Sequence, residues 1–128
     1  MTHLLVFIGA GLGGVLRFLA STAVQKACNG WAFPLGTFVV NISGCLLIGF
    51  LAQLAESKNL MEPEFRAFFL IGILGGYTTF SSFGYETLQL IRSGEFVYAA
   101  ANAVLQVVLG LVFVWLGTVL ARLLLSLF

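Results

Sequence analysis

Aspartate is absent from this chain of 128 residues, histidine occurs once, at position 3, and charged residues of all kinds make up only 9%. Without Asp, and with its one His outside any apolar run, the chain places no Ser or Cys beside a base spaced to activate it, so an enzyme is not expected. Two cysteines are too few for a disulfide framework or a metal cluster. Cys28 falls in a first loop and Cys45 inside an apolar stretch; both read as unpaired, Cys45 as a small packing residue. Proline is equally scarce. Pro34 breaks the first loop together with Gly30, and Pro63 suits the first turn of a helix.

What fills the chain is apolar: 60% of residues are hydrophobic and thirteen are Phe, outside the range of soluble domains. Four stretches stand out, Leu4 to Val24, Leu35 to Ala55, Phe65 to Ile91 and Phe96 to Phe128. Each exceeds the roughly 20 residues a helix needs to cross a ~30 Å hydrocarbon core. An all-α membrane protein follows, with one four-helix transmembrane domain over residues 1–128. The first stretch is expected to be retained, because no positive segment precedes it and Arg17 interrupts it where a cleavable signal is most hydrophobic.

Four crossings put Lys58, Arg66 and Arg122 toward one side and Lys26, Arg92 and Arg17 toward the other. The positive-inside rule acts on a bias, and here there is none. Such a chain either takes one orientation, set by a single dominant charge, or inserts both ways up, in which case two opposed copies would reproduce the inverted repeat of larger transporters.

Gly9-Ala10-Gly11-Leu12-Gly13-Gly14 matches the letters of a G-x-G-x-x-G nucleotide loop, but no strand precedes it and the first carboxylate is Glu56. In an apolar helix these residues read as the small faces Gly9-x-x-x-Gly13 and Ala10-x-x-x-Gly14, which bring helices close. Arg17 lies about 20 Å along the helix from Leu4. Snorkelling to an interface and attraction of an anion both fit that depth. In the second stretch Gly36, Gly44 and Gly49 suit packing, and Asn41 must find a partner helix or a ligand for its amide. Asn102, Gln106 and Gly110 repeat at i, i+4, i+8, a face that either lines a pore or packs helices but does not look at lipid.

The most informative run is Gly75-Gly76-Tyr77-Thr78-Thr79-Phe80-Ser81-Ser82-Phe83. Two glycines, four Ser and Thr hydroxyls and two Phe predict a helix break at membrane depth, which marks an ion or substrate path. Hydroxyls, the Asn41 amide and the positive ring edges of Phe80 and Phe83 suit an anion. Carbonyls freed by the glycines suit a hard cation such as sodium. Beyond the break, Glu86 is the one carboxylate inside an apolar stretch, placed toward a vestibule.

The break together with Gly36-Thr37-Phe38-Val39-Val40-Asn41-Ile42-Ser43-Gly44, preceded by a Gly-rich helix ending in Arg17-Phe18, resembles the small fluoride channels called Fluc, or CrcB-like proteins. The resemblance covers essentially the whole chain. It implies passive, selective fluoride export that relieves toxicity, from the cell (inner) membrane of a bacterium. It also implies a four-helix subunit with a broken third helix, assembled as an antiparallel dual-topology homodimer in the lipid bilayer, with no nucleic-acid partner. Asn41, Phe80 and Phe83 match its fluoride-lining positions, Ser81, Ser82 and Glu86 its polar track, and Arg17 its first-helix Arg. Gly75 and Thr78 match backbone carbonyls that hold a central sodium ion. The fourth helix departs: many members offer hydroxyl or aromatic polar groups where this chain has Gln106, Gly110 and Val114. The competing readings are a small proton-coupled exporter with Glu86 as its coupling carboxylate, which needs that carboxylate near mid-bundle, and a non-transporting assembly protein, which leaves the hydroxyl-rich break without a role.

Overall fold

The computed structural model describes residues 1–57 and 62–127, an all-helical chain with four helices long and apolar enough to cross a membrane. α1 (Thr2–Ala27), α2 (Leu35–Ser57) and the last helix, α6 (Phe96–Leu125), are unbroken. The third span, Pro63–Arg92, is assembled from pieces. It begins as α3 (Pro63–Arg66), widens into a π-helical segment (Ala67–Leu74), closes again as α4 (Gly75–Tyr77), and resumes after two extended residues as α5 (Phe80–Arg92). Pro63 stands in the first turn, where its missing N–H has no helical partner to lose.

Burial is inverted relative to a soluble bundle. Large side chains such as Phe7, Phe18, Leu111 and Trp115 point outward, while the buried positions include Gly9, Gly13, Gly44, Gly49, Gly110 and Gly117. Lipid is as apolar as Leu, so helices gain by close backbone approach rather than by hiding large residues. α1 meets the third span this way: a Cβ on Gly9 would lie 2.6 Å from the Phe68 carbonyl, and one on Gly13 would lie 2.8 Å from the Tyr77 amide nitrogen. The second small face is only half used, since Ala10 abuts Gly76 whereas Gly14 has nothing within 4 Å. α2 packs most extensively on α6, with Gly49 beneath the Val114 carbonyl and Gly117 beneath that of Leu46.

Tight connections follow from two residues of positive φ. Gly30 (φ 95°) turns the chain between α1 and α2, and Gly94 (φ 76°) turns it between α5 and α6. At the latter, Glu95 N donates to Leu90 O (2.8 Å) and Gly94 N to Ile91 O (3.1 Å), a Schellman ending that satisfies the last carbonyls of α5.

Four crossings place Lys26 and Arg92 at one end of the bundle and Arg66 and Arg122 at the other; Lys58 lies outside the described residues. Arg17 belongs to neither end, because its guanidinium is engaged inside the bundle.

Candidate ion pathway at the broken third helix

The break falls later than the glycines. Gly75 keeps helical angles (φ −62°, ψ −38°), and the chain straightens only at Thr78 (φ −81°, ψ 157°) and Thr79 (φ −150°, ψ 112°). The expectation that both glycines free their carbonyls by leaving the helix is therefore revised. Gly76 serves packing against Ala10, whereas Gly75 has nothing within 4 Å of the place a Cβ would occupy. The Gly75 carbonyl is nonetheless released, for a different reason: the Thr79 N–H that a continuing helix would direct to it donates to Asn41 Oδ1 (2.8 Å).

Asn41 thus acts as a clamp on the break. Its Nδ2 group donates to Thr79 O (3.0 Å) and to Gln106 Oε1 (2.7 Å). Thr79 is joined through both its N–H and its C=O to a single side-chain amide, much as it would be in a strand ladder. This is how a non-helical peptide is tolerated among apolar helices. Arg17 adds a further bond at the break, donating from Nη1 to Thr78 O at 3.3 Å.

Thr79 also caps the helix that follows. Its Oγ1 accepts from Ser82 N (3.2 Å) and donates to Ser82 Oγ (3.1 Å), and Ser81 Oγ lies 3.4 Å away. Three hydroxyls consequently gather at the N-terminus of α5, where backbone N–H groups and the helix dipole favour negative charge. Phe80 and Phe83 project from this first turn with ring centroids 5.5 Å apart and planes tilted by 55°. Phe80 is 83% exposed in the single chain.

A cleft of about 340 Å³ brings together Asn41, Gly75, Thr78, Phe80, Phe83 and Gln106. A second, polar cleft of about 330 Å³ opens near Lys26 and is lined by Gln25, Thr37 and Glu86. Glu86 Oε1 accepts from Thr37 Oγ1 (2.7 Å), a contact that no local spacing signals although Thr37 stands in the same motif as Asn41. The predicted site residues therefore divide in two. Asn41, Phe80, Phe83, Gly75 and Thr78 share one cleft; Glu86 belongs to the other, with the α5 hydroxyls of Ser81 and Ser82 near the first.

Among the described residues no three His, Cys, Asp or Glu side chains gather where they could hold a metal. A cation here would depend on backbone oxygen. The Gly75 carbonyl fits that role, having lost its helical donor beside an open face. Thr78 offers only the part of its carbonyl that Arg17 leaves free.

The fourth-span face predicted to look inward does so. Asn102 is fully buried, Gly110 is buried, and Gln106 reaches the cleft.

Four helices long and apolar enough to cross a membrane, one of them opened and stitched by the Asn41 amide beside a cleft, define a polytopic helical membrane protein built around a broken span. The family model described as CrcB-like protein, Camphor Resistance (CrcB), matches residues 4–118. This chain belongs to that CrcB-like family. A relative from Methylobacillus flagellatus is 46% identical over 119 residues, covering 93% of both chains. One from Rhodospirillum rubrum is 46% identical over 121 residues, again 93% of both, and one from Solibacter usitatus is 43% identical over 122 residues, 95% of this chain and 99% of the relative. All three bear the name fluoride-specific ion channel FluC.

Proposed function

We propose that this chain is a fluoride-selective ion channel that exports fluoride passively across a membrane and so relieves its toxicity. Relatives over 40% identical along nearly the whole chain are named fluoride-specific ion channels. The observation that carries the reading is the cleft itself, where hydroxyls at a helix N-terminus and two Phe rings meet without a charged side chain among the described lining residues. Fluoride sheds water only to donors that replace it at close range, and neutral donors also let it leave. Phe80 and Phe83 are assigned to the ion, with Ser81 and Ser82 beside them; Asn41 lines the same cleft but commits both its N–H donors to Thr79 O and Gln106 Oε1, so its part is to shape the wall. Glu86 and Lys26 belong to a polar vestibule, and Arg17 to the break it braces.

The proton-coupled alternative is not favoured, because Glu86 lies apart from the broken-span cleft and is hydrogen-bonded to Thr37. Purified protein in liposomes is expected to release fluoride well above empty vesicles, with neither chloride release nor stoichiometric proton movement. Equal chloride flux, or flux that carries protons and vanishes in Glu86→Gln, would overturn the assignment.

We further infer an antiparallel, dual-topology homodimer in the inner membrane of a bacterium. Lys and Arg side chains at the two ends remain balanced, two against two among the described residues. The open face at Gly75 and the exposed Phe80 ring are what a second copy would cover. A sodium ion between two such breaks would take backbone carbonyls from Gly75 and Thr78, a structural role in which its charge satisfies oxygens that the helix does not. Gly75→Leu is expected to abolish dimer assembly, because its side chain would stand on the face the partner approaches, while Thr78→Ser leaves assembly intact. Crosslinking of cysteines placed at the two ends of one helix checks both, and a Gly75→Leu protein that crosslinks like wild type counts against the arrangement.

A further inference from the structure

The hydrogen bonds around Asn41 do not stop at Gln106. Gln106 Nε2 donates to Asn102 Oδ1 (3.0 Å), Asn102 Nδ2 donates to Thr87 Oγ1 (2.9 Å), and Thr87 Oγ1 donates to Phe83 O (2.7 Å). Four side chains from three helices therefore link the backbone of Thr79 to the backbone of Phe83.

Both ends of this chain of bonds are backbone groups, and they fix its direction. Thr79 N can only donate, so the Asn41 atom facing it is Oδ1 and the opposite edge is Nδ2. Gln106 must then present Oε1 to that edge, which leaves Nε2 for Asn102. Asn102 must accept with Oδ1, which leaves Nδ2 for the Thr87 hydroxyl. Thr87 accepts from Asn102 and directs its one proton to the Phe83 carbonyl, an acceptor only. Reversing one amide would set oxygen against oxygen or nitrogen against nitrogen at a neighbour. Asn102 is 0% exposed, so water does not repair such a fault.

The two anchoring residues bracket the turn that carries the Phe80 and Phe83 rings. We propose that Gln106, Asn102 and Thr87 form a relay of single polarity that orients Asn41 and holds the Phe80/Phe83 turn, which makes Gln106 and Thr87 positioning residues for conduction. The transport half of this statement rests on the fluoride reading above. The fourth-span amides thereby gain a defined role, in which Gln106 stands at the cleft beside Asn41 and acts through it, and Thr87 acts from outside the cleft.

Fluoride efflux is measured for Thr87→Val, Thr87→Ser, Gln106→Met and the Thr87→Val/Gln106→Met double variant, alongside wild type. Each single loss strands a buried amide and is expected to lower flux about tenfold. Thr87→Ser, which keeps the hydroxyl, should conduct like wild type. The double variant should fall about as far as either single, because both cut one relay. If Thr87→Val does not fold, Asn102→Leu takes its place in the cycle. Losses that multiply to about a hundredfold in the double variant, wild-type flux in a folded single variant, or a Thr87→Ser protein as weak as Thr87→Val would overturn the relay. Thermal denaturation of the same proteins reads the coupling without reference to transport. Failure of wild type to carry fluoride, with non-additive losses of melting temperature intact, would sink the fluoride reading and leave the relay standing.

Discussion

Asn41→Ala is expected to cut fluoride flux by roughly thirtyfold and to lower thermal stability as well, the counterpart of about 2 kcal/mol for leaving a buried backbone donor without a partner. The sequence alone suggests a lining residue whose loss affects flux and little else. The structure argues for more. Asn41 supplies an acceptor to Thr79 N and donors to Thr79 O and Gln106 Oε1, so truncation removes three hydrogen bonds at once. Thr79 is buried, and its orphaned N–H has a ready alternative in the Gly75 carbonyl one turn back. Taking that alternative would extend α4 through Thr79 and turn the α5 hydroxyls away from the cleft. Efflux assays paired with thermal denaturation test this, and a variant that conducts and melts like wild type would return Asn41 to a bystander's place.

Hydropathy made the four spans legible, because an uninterrupted apolar run of membrane length has few other fates. The span ends agree to within a few residues, and the glycines at 36, 44 and 49 meet neighbouring atoms as their spacing suggested. The break was legible as a composition but not as a position. Gly75 and Gly76 look like the weak point because glycine tolerates any backbone shape, yet Thr78 and Thr79 straighten instead. A β-branched residue fits extended angles readily, and two neighbours from other helices supply the hydrogen bonds that stabilise those angles there. Those neighbours, Arg17 and Asn41, stand 61 and 38 residues from their contacts. No local pattern reports a bond across such a distance. The π-helical segment before the break left no local signature for the same reason, since its widened turn sits where Gly9 and Gly13 of α1 press against Phe68, Gly72 and Ile73.

Phe80→Ile is expected to reduce fluoride flux at least tenfold while leaving the fold of the subunit unchanged, and Phe83→Ile to reduce it comparably with some loss of stability. The difference follows from burial: Phe80 is 83% exposed in the single chain and contributes little to its packing, whereas Phe83 is half-buried. The shared loss follows from charge distribution. A Phe ring carries partial positive charge at its edge, which attracts an anion from which water has been excluded. Isoleucine keeps the site apolar but has no such edge, so it removes the attraction without adding a charge or a hydrogen-bonding group. The rings stand 5.5 Å apart on one turn, close enough to serve the same ion in succession. Efflux from liposomes with each variant, compared at equal amounts of folded protein, measures the effect. Normal flux through either ring-deleted protein would mean that the ion is passed along the Thr79, Ser81 and Ser82 hydroxyls alone, with the rings reduced to walls.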